Sequence, residues 1–346
     1  MIRREETRNM ANKRIFRSIC TNPWVNLAMD QLLFQHADHP LPVLFLWQNR
    51  HTVVIGRNQN AWKECRTELL EAENGTLARR PSGGGALYHD MGNLCFTFAC
   101  QHSEYDVATH WEIIRRALEA VGIPCQTSGR NDLAVDGRKF SGSAFAFGQG
   151  RALHHGTLMV DVDVENMSRY LSVSKEKIAS KGVDSVRSRV MNLREAAPGL
   201  DMEQLCTAVV TAFADYYQLT SDERTVHQVG EADVRAVPAG EAAYQLYSGW
   251  DWRYGASPAG DIALETRFPW GELQVWLTVQ EGHVAQAQVY SDALDTDFVD
   301  ALRNGLTGVQ MSRETLVQAA MQIGMQEDRW SEYAADVAGW LQERDL

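Results

Sequence analysis

With 346 residues, 45% of them apolar and 23% charged, the chain is long enough for two domains with sizeable cores and has an ordinary globular composition. A formal net charge of −12 argues against a general nucleic-acid binder, which needs a basic surface. No apolar run approaches the ~20 residues that span a bilayer, and Met1-Ile2-Arg3-Arg4-Glu5-Glu6 has no apolar stretch behind its arginines, so neither a membrane protein nor a signal peptide is expected.

In chain order, residues 1–9 read as a polar extension, with Met10 as a second start. Asn22 can cap a helix with Pro23 in its first turn, and Val25, Ala28, Met29, Leu32 and Leu33 repeat on one face. Val43–Trp47 and Thr52–Gly56 read as buried strands parted by Asn49-Arg50-His51. Leu77–Arg80 leads into a glycine-rich loop and Asn93–Phe98 leaves it. Asp106–Val121 is a predicted helix that Gly122 ends. Asp136-Gly137 marks a type I′ hairpin between Leu133-Ala134-Val135 and Arg138-Lys139-Phe140. Gly156–Val160 is a further strand, and Asp201 with Gln204 resembles a capping box for a helix presenting Met202, Leu205, Cys206, Val209 and Phe213. Residues 218–245 are polar and weakly patterned, so a loop-rich stretch is expected. Gly255–Gly260 reads as a linker. Beyond it lies a small α/β domain: Leu273, Val275, Leu277 and Val279 alternate as a half-buried strand, Glu281-Gly282 turns into Val284–Tyr290, and helical patterns fill Ser312–Ile323 and Glu327–Leu341.

The chemistry concentrates in Ala78-Arg79-Arg80-Pro81-Ser82-Gly83-Gly84-Gly85-Ala86-Leu87-Tyr88-His89-Asp90. Glycines let backbone N–H groups approach a ligand, and guanidinium forks bind phosphate or carboxylate, so the stretch suits an anionic ligand. A glycine-rich turn with two solvated arginines is the plainer alternative. It is neither a P-loop nor a dinucleotide fingerprint, since no Gly-Lys-Ser/Thr closes it and the spacing is not G-x-G-x-x-G. Ser82 has no G-x-S-x-G setting, which argues against a hydrolase triad with His89 and Asp90.

Lys139, on the hairpin before Ser141-Gly142-Ser143-Ala144, can neutralise charge on a phosphate or acyl oxygen, or be a solvated hairpin lysine. Ser128-Gly129-Arg130-Asn131-Asp132 offers polar groups to a nucleotide or a Mg²⁺-bound phosphate, and is also ordinary turn chemistry. His154 and His155, adjacent on a strand, point to opposite faces, so they do not chelate a metal together. The 181–190 stretch reads as an exposed loop with spare donors, and Trp47 by default as core. Six cysteines (20, 65, 95, 100, 125, 206) without a C-x-x-C pair read as reduced thiols of a cytoplasmic protein rather than disulfides or a metal site.

Five motifs in this order resemble the lipoate–protein ligase A family. They are Arg79-Arg80-x-Ser82-Gly83-Gly84-Gly85 with His89-Asp90-x-Gly92-Asn93; Ser128-Gly129-Arg130-Asn131-Asp132; Arg138-Lys139-x-Ser141-Gly142-Ser143-Ala144; His154-His155-Gly156-Thr157; and Gly182-x-x-Ser185-Val186-Arg187-Ser188-Arg189. The likeness runs from about Ile15 to Tyr254 and more loosely to the end. It implies a catalytic domain over 10–254, an α/β mixed sheet of the class II synthetase and biotin-ligase type, and a small C-terminal α/β accessory domain over 262–346.

The implied chemistry is ATP-dependent. Lipoate attacks the α-phosphate of Mg·ATP to give lipoyl-AMP, and a lysine of a lipoyl domain then takes the acyl group. The implied acceptors are 2-oxoacid dehydrogenase complexes and the glycine cleavage H protein. Octanoate is a further expected acyl substrate, and the expected state is a monomer without a tightly bound cofactor or resident metal. By the same resemblance Lys139 is the catalytic residue and meets both substrates. Arg80, Gly85, Ala86, Leu87, Tyr88, Asn131 and Asp132 serve ATP. Trp47, Arg79, Ser82, Gly83, His89, His155 and Gly156 border lipoate. Gly182, Val183, Ser185, Val186 and Arg189 belong to a loop that closes over the adenylate.

Two other classes stand beside the ligase: an acyltransferase working through a cysteine thioester without ATP, for which Cys95 and Cys100 are the candidates, and a non-catalytic lipoyl-domain binder. The chain lacks a Gly-Arg-Gly-Arg-type loop expected of a biotin ligase.

Overall fold

The computed structural model describes residues 13–35, 42–128, 132–172, 190–254, 262–280 and 282–344. The expected linker, Glu281, Asn131 and the 182–189 part of the closing loop lie outside them. The chain divides into two compact units, one of Met1–Val54, Trp62–Arg80 and Ala86–Arg253, the other of Ile55–Ala61, Pro81–Gly85 and Tyr254–Leu346.

The strands of the first unit are β1 (Ile15–Ser18), β2 (Val43–Trp47), β3 (Thr52–Ile55), β4 (Thr76–Arg79), β5 (Leu87–His89), β6 (Asn93–Gln101), β7 (Gln126–Ser128), β8 (Asp132–Val135), β9 (Arg138–Gly148), β10 (Arg151–Met159) and β11 (Val226–Val229). Eight of them form a mixed sheet in the order β11-β1-β2-β6-β10-β9-β8-β7, and β4-β3-β5 form a second sheet. β1 runs parallel to β2 and β11, whereas β2–β6–β10–β9–β8 pair antiparallel.

The large sheet is buried on both faces, so its central strands read as unbroken apolar runs with a period-2 sorting of side chains. Leu44 and Leu46 of β2, with Leu94, Phe96 and Phe98 of β6, enter one core with the longer helices α2 (Val107–Ala120) and α3 (Met202–Tyr216). Val43, Phe45 and Trp47, with Cys95 and Ala99, enter the other, against helix α1 (Pro23–Gln35). α1 is capped as expected, Asn22 Oδ1 accepting from Trp24 N–H at 3.0 Å. Asp106 caps α2, Gly122 follows it at φ +81°, and the Asp201/Gln204 capping box opens α3. The hairpin turn has φ of +49° at Asp136 and +77° at Gly137, as a type I′ turn requires.

The 218–245 expectation is corrected. This stretch holds β11 and two helices, α4 (Glu231–Ala236) and α5 (Pro238–Ser248). Among the described residues β11 is an edge strand paired with distant β1 alone, so it leaves no local apolar signature. α5 carries Pro238 in its first turn and buries few side chains, Ala243 and Tyr247 among them, against α1.

The second unit is built on an antiparallel sheet of β12 (Ile262–Phe268), β13 (Gly271–Gln280) and β14 (His283–Ser291). Its helices are α6 (Thr296–Leu306), α7 (Arg313–Gly324) and α8 (Ser331–Gln342). Leu273, Val275 and Leu277 point into one core with Phe298, Leu302, Leu316 and Val337. β12 and α6 have no counterpart in the sequence reading. Among the described residues no helix is long and apolar enough to cross a membrane.

Candidate functional site

Period-2 geometry collects one group of polar side chains on the α1 face of the large sheet. Thr97 pairs with Phe45 on one side and with His155 on the other, and Trp47 pairs with Cys95. Trp47, Cys95, Thr97 and His155 therefore share a face, and α1 delivers Asp30 onto it. Trp47 Nε1 donates to Thr97 Oγ1 at 3.0 Å, Thr97 Oγ1 donates to Asp30 Oδ1 at 2.7 Å, and His155 Nδ1 lies 3.0 Å from Asp30 Oδ2. Asp30 is 1% exposed, and these partners satisfy its buried carboxyl oxygens.

His89 joins this group, its ring 6.2 Å from that of Trp47. Burial, then the charges of Arg80 and His155, push its pKa down to about 3, so the ring is neutral at physiological pH. Arg80 is 5% exposed and donates to the Val54 carbonyl at 3.3 Å. Burial lowers its pKa to about 10, and the guanidinium stays charged. A buried cation whose field reaches a neutral imidazole, itself near an indole, is a setting for an anion carried on an apolar body.

Arg79, expected against the acyl ligand, directs Nε and Nη2 to backbone. Nε lies 2.7 Å from the Trp252 carbonyl and Nη2 2.9 Å from that of Arg253, while Trp252 Nε1 returns a bond to the Arg79 carbonyl at 2.8 Å. These contacts tether β4 to the end of the first unit. Tyr88 is buried with its hydroxyl 3.0 Å from His51 Nδ1 and its ring stacked on Tyr170. Ala86 and Leu87 are half-buried.

On the hairpin, Lys139 Nζ is 2.8 Å from Asp132 Oδ1, an ion pair without hydrogen-bond alignment. The ammonium lies over Gly142, where a Cβ would be 3.1 Å from Nζ. Val190 bridges to Lys139 in parallel, and Met191 N–H donates to the Lys139 carbonyl at 2.9 Å. Gly156 has no room for a side chain, since a Cβ there would fall 2.4 Å from Phe96 Cζ. His154 points away from His155, into the aromatic core, with Nδ1 3.1 Å from His110 Nδ1. Among the described residues no group of three or more His, Cys, Asp or Glu is spaced to hold a metal ion.

In the second unit the glycine run has a packing reason of its own. A Cβ on Gly83 would lie 2.3 Å from the Ala293 carbonyl oxygen, and one on Gly56 2.2 Å from that of Gly84. Gly84 has φ +88° and donates to the Ala293 carbonyl at 3.3 Å. Ser82 is fully buried and its carbonyl accepts from Arg57 N–H at 2.9 Å, while Gly85 is exposed and a Cβ there would meet nothing within 4 Å.

Asp30, Thr97, Asn49 and Asn26 were not anticipated. The available signal was Asn26 and Asp30, four residues apart on a helix that is otherwise apolar on that side. An open cavity of about 630 Å³ lies elsewhere in the first unit, between α2 and α3, lined by Arg116, Asp201 and Thr211 among others. None of the expected site residues lines it.

The architecture is that of the lipoate ligases. P. falciparum LipL1, solved in complex with lipoate, superposes with a TM-score of 0.84 at 29% identity, covering 96% of this chain and 100% of that one. A lipoate–protein ligase A solved with bound ATP shares the fold at a TM-score of 0.57 and 21% identity, over 70% of this chain and 99% of that one. Residues 22–214 match the lipoyl protein ligase A/B catalytic domain family, and residues 257–341 match the bacterial lipoate protein ligase C-terminus. Lipoate-protein ligase A of Psychrobacter cryohalolentis is 38% identical over 330 residues, 95% of this chain and 97% of that protein. The chain belongs to the lipoate–protein ligase A family and is an enzyme of the ligase class.

Proposed function

We propose that the chain activates lipoate with ATP and transfers the acyl group to a lysine of lipoyl domains. Its carboxylate attacks the α-phosphate of Mg·ATP, the bond to the β-phosphate breaks, and lipoyl-AMP and pyrophosphate form. The lysine amine then attacks the acyl carbon, AMP leaves, and an amide remains. One observation carries this reading: neutral His89, its ring 6.2 Å from that of Trp47, lies within the field of the buried, charged Arg80. That setting fits an anionic head on an apolar acyl chain.

Lys139 is the catalytic residue, its ammonium balancing charge that develops on the α-phosphate and the reacting carboxylate. Asp132 holds the ammonium until ATP enters, and Arg80 takes nucleotide phosphate. Backbone of Gly85, Ala86, Leu87 and Tyr88, together with Asn131, completes the ATP contacts. Trp47, His89, His155 and Gly156 border the acyl chain, with Ser82 and Gly83 from the same loop, and Arg79 supports the loop through its carbonyl bonds. Gly182, Val183, Ser185, Val186 and Arg189 close over the adenylate and keep water from the anhydride. Positioning supplies most of the remaining acceleration.

The catalytic domain spans 10–254 and the accessory domain 262–346, in a cytoplasmic monomer. Octanoate is a second acyl substrate. An archaeal bi-partite lipoate protein ligase from Thermoplasma acidophilum was solved in a study with its E2 lipoyl domain. By analogy the acceptors here are lipoyl domains of 2-oxoacid dehydrogenase complexes, and the glycine cleavage H protein.

The thiols argue against a thioester route. Burial pushes Cys95 well above the usual thiol range and Cys100 up to about 12, so both keep their protons and are poor nucleophiles. Incubation with ATP and lipoate, without an acceptor, should accumulate lipoyl-AMP. Acyl transfer that proceeds without ATP and is lost in a Cys95→Ala, Cys100→Ala variant would overturn the reading.

A further inference from the structure

The protonation of His89 is set by residues without a role in the scheme above. Asn26 Nδ2 lies 3.2 Å from the Cys20 carbonyl and 3.0 Å from the Gln48 carbonyl. Carbonyls only accept, so the Asn26 amide can face only one way; its two N–H groups serve three acceptors, one of them shared, and the Asn49 atom facing this nitrogen at 2.9 Å must be the oxygen, since two amide nitrogens would repel. The single hydrogen of Ser18 Oγ has the nearer acceptor in Asn26 Oδ1, at 2.6 Å against 3.0 Å for the Cys20 carbonyl, in agreement. With Asn49 Oδ1 accepting, its Nδ2 faces His89 Nδ1 at 3.2 Å. An amide nitrogen only donates, so His89 Nδ1 accepts and carries no proton. Cys95 Sγ, 3.6 Å from the same nitrogen, is a protonated thiol and a second donor.

A neutral imidazole with a bare Nδ1 carries its proton on Nε2. His89 is 3% exposed, yet Nε2 has no hydrogen-bond partner among the described residues. Native structures rarely leave a buried donor unmet, and a ligand acceptor is one of the few reasons to keep one. The neighbours favour a neutral donor: Arg80 and His155 both oppose a second positive charge on this ring.

We propose that Asn26 and Asn49 are positioning residues that lock His89 as an Nε2–H donor, and that this donor binds a carboxyl oxygen of the acyl ligand. The proposal rests on the acyl-adenylate reading. An oxygen is favoured over a dithiolane sulfur because divalent sulfur is only a weak acceptor for an N–H donor. A neutral donor serves that oxygen both as carboxylate and as the carbonyl of the mixed anhydride.

The test is ¹⁵N NMR of the full chain labelled at histidine, with lipoate and octanoate as probes. Nitrogen shifts report which ring atom holds the proton. At neutral pH His89 should show a protonated Nε2 and a bare Nδ1, and the Nε2–H signal should move on saturation with either acid. Asn49→Leu should mix the tautomers and raise KM for both acids about tenfold, the effect of one hydrogen bond, with KM for ATP unchanged. His89→Phe should show the same loss, and His89→Gln, whose amide nitrogen reaches the Nε2 position, should recover most of it. A proton on Nδ1, or a bound acid that leaves Nε2 unmoved while lipoyl-AMP still forms, overturns the proposal alone. An effect confined to lipoate and absent with octanoate assigns the contact to sulfur and overturns the oxygen assignment. A native chain that binds neither acid overturns this proposal and the acyl-adenylate reading together.

Discussion

Lys139 and Asp132 face each other across the β8–β9 hairpin, Nζ 2.8 Å from Oδ1, with side chains 36% and 27% exposed. Such a partly solvated pair adds little to folding, so removing the ammonium should show in catalysis and hardly in stability. Lys139→Ala should lower the rate of lipoyl-AMP formation about 10²–10³-fold while stability changes by less than about 1 kcal/mol. Adenylate formation and a urea melt on the same preparation check both parts.

Asp30 is the acceptor for two buried donors, at 2.7 Å from Thr97 Oγ1 and 3.0 Å from His155 Nδ1. Asp30→Ala leaves both without it and should destabilise the first unit by about 3–5 kcal/mol. Because Thr97 in turn orients Trp47, KM for lipoate should rise as well, whereas KM for ATP should not. Chemical denaturation and steady-state kinetics separate the two effects.

Acid should unfold the protein through its buried histidines. Burial lowers His110 to about 4 and His89 to about 3 from the ordinary 6.5, and His154 falls well below it. Between 6.5 and these values the unfolded chain binds protons that the native chain refuses, so stability is full above 6.5 and falls with acidification. Each histidine contributes a slope of about 1.4 kcal/mol per pH unit through its window. Urea midpoints from pH 7 to pH 4 should decline, and His110→Phe should flatten the decline.

Most of the chain order was legible because local signals decided it: the Asn22-Pro23 cap, the Asp136-Gly137 turn, the Asp201/Gln204 box and the apolar run of β2. Strand parity alone separated His154 from His155, and the structure turns one to the aromatic core and the other to Asp30. What stayed hidden depends on distant partners. β11 is a strand only because β1 is beside it, and Asp30 matters only because β6 and β10 bring Thr97 and His155 beneath it. The glycine run was read for ligand approach, while Gly83 is also required by the Ala293 backbone.

Two glycines should answer substitution differently. At Gly156 an added Cβ meets Phe96 Cζ at 2.4 Å and the Gly142 carbonyl at 3.0 Å, and fully buried Phe96 has little freedom to move. Gly156→Ala should destabilise by about 1–3 kcal/mol. At Gly85 nothing lies within 4 Å, so Gly85→Ala should leave stability within about 0.5 kcal/mol. A rise in KM for ATP in that stable variant would then report a ligand contact. Thermal melts and ATP titrations distinguish the two.

Formation of lipoyl-AMP before any acceptor arrives is read out by exchange of labelled pyrophosphate into ATP. Exchange should require lipoate or octanoate, proceed without a lipoyl domain, and fall about 10²–10³-fold in Lys139→Ala. Exchange that is absent with either acid, or undiminished in Lys139→Ala, would contradict it.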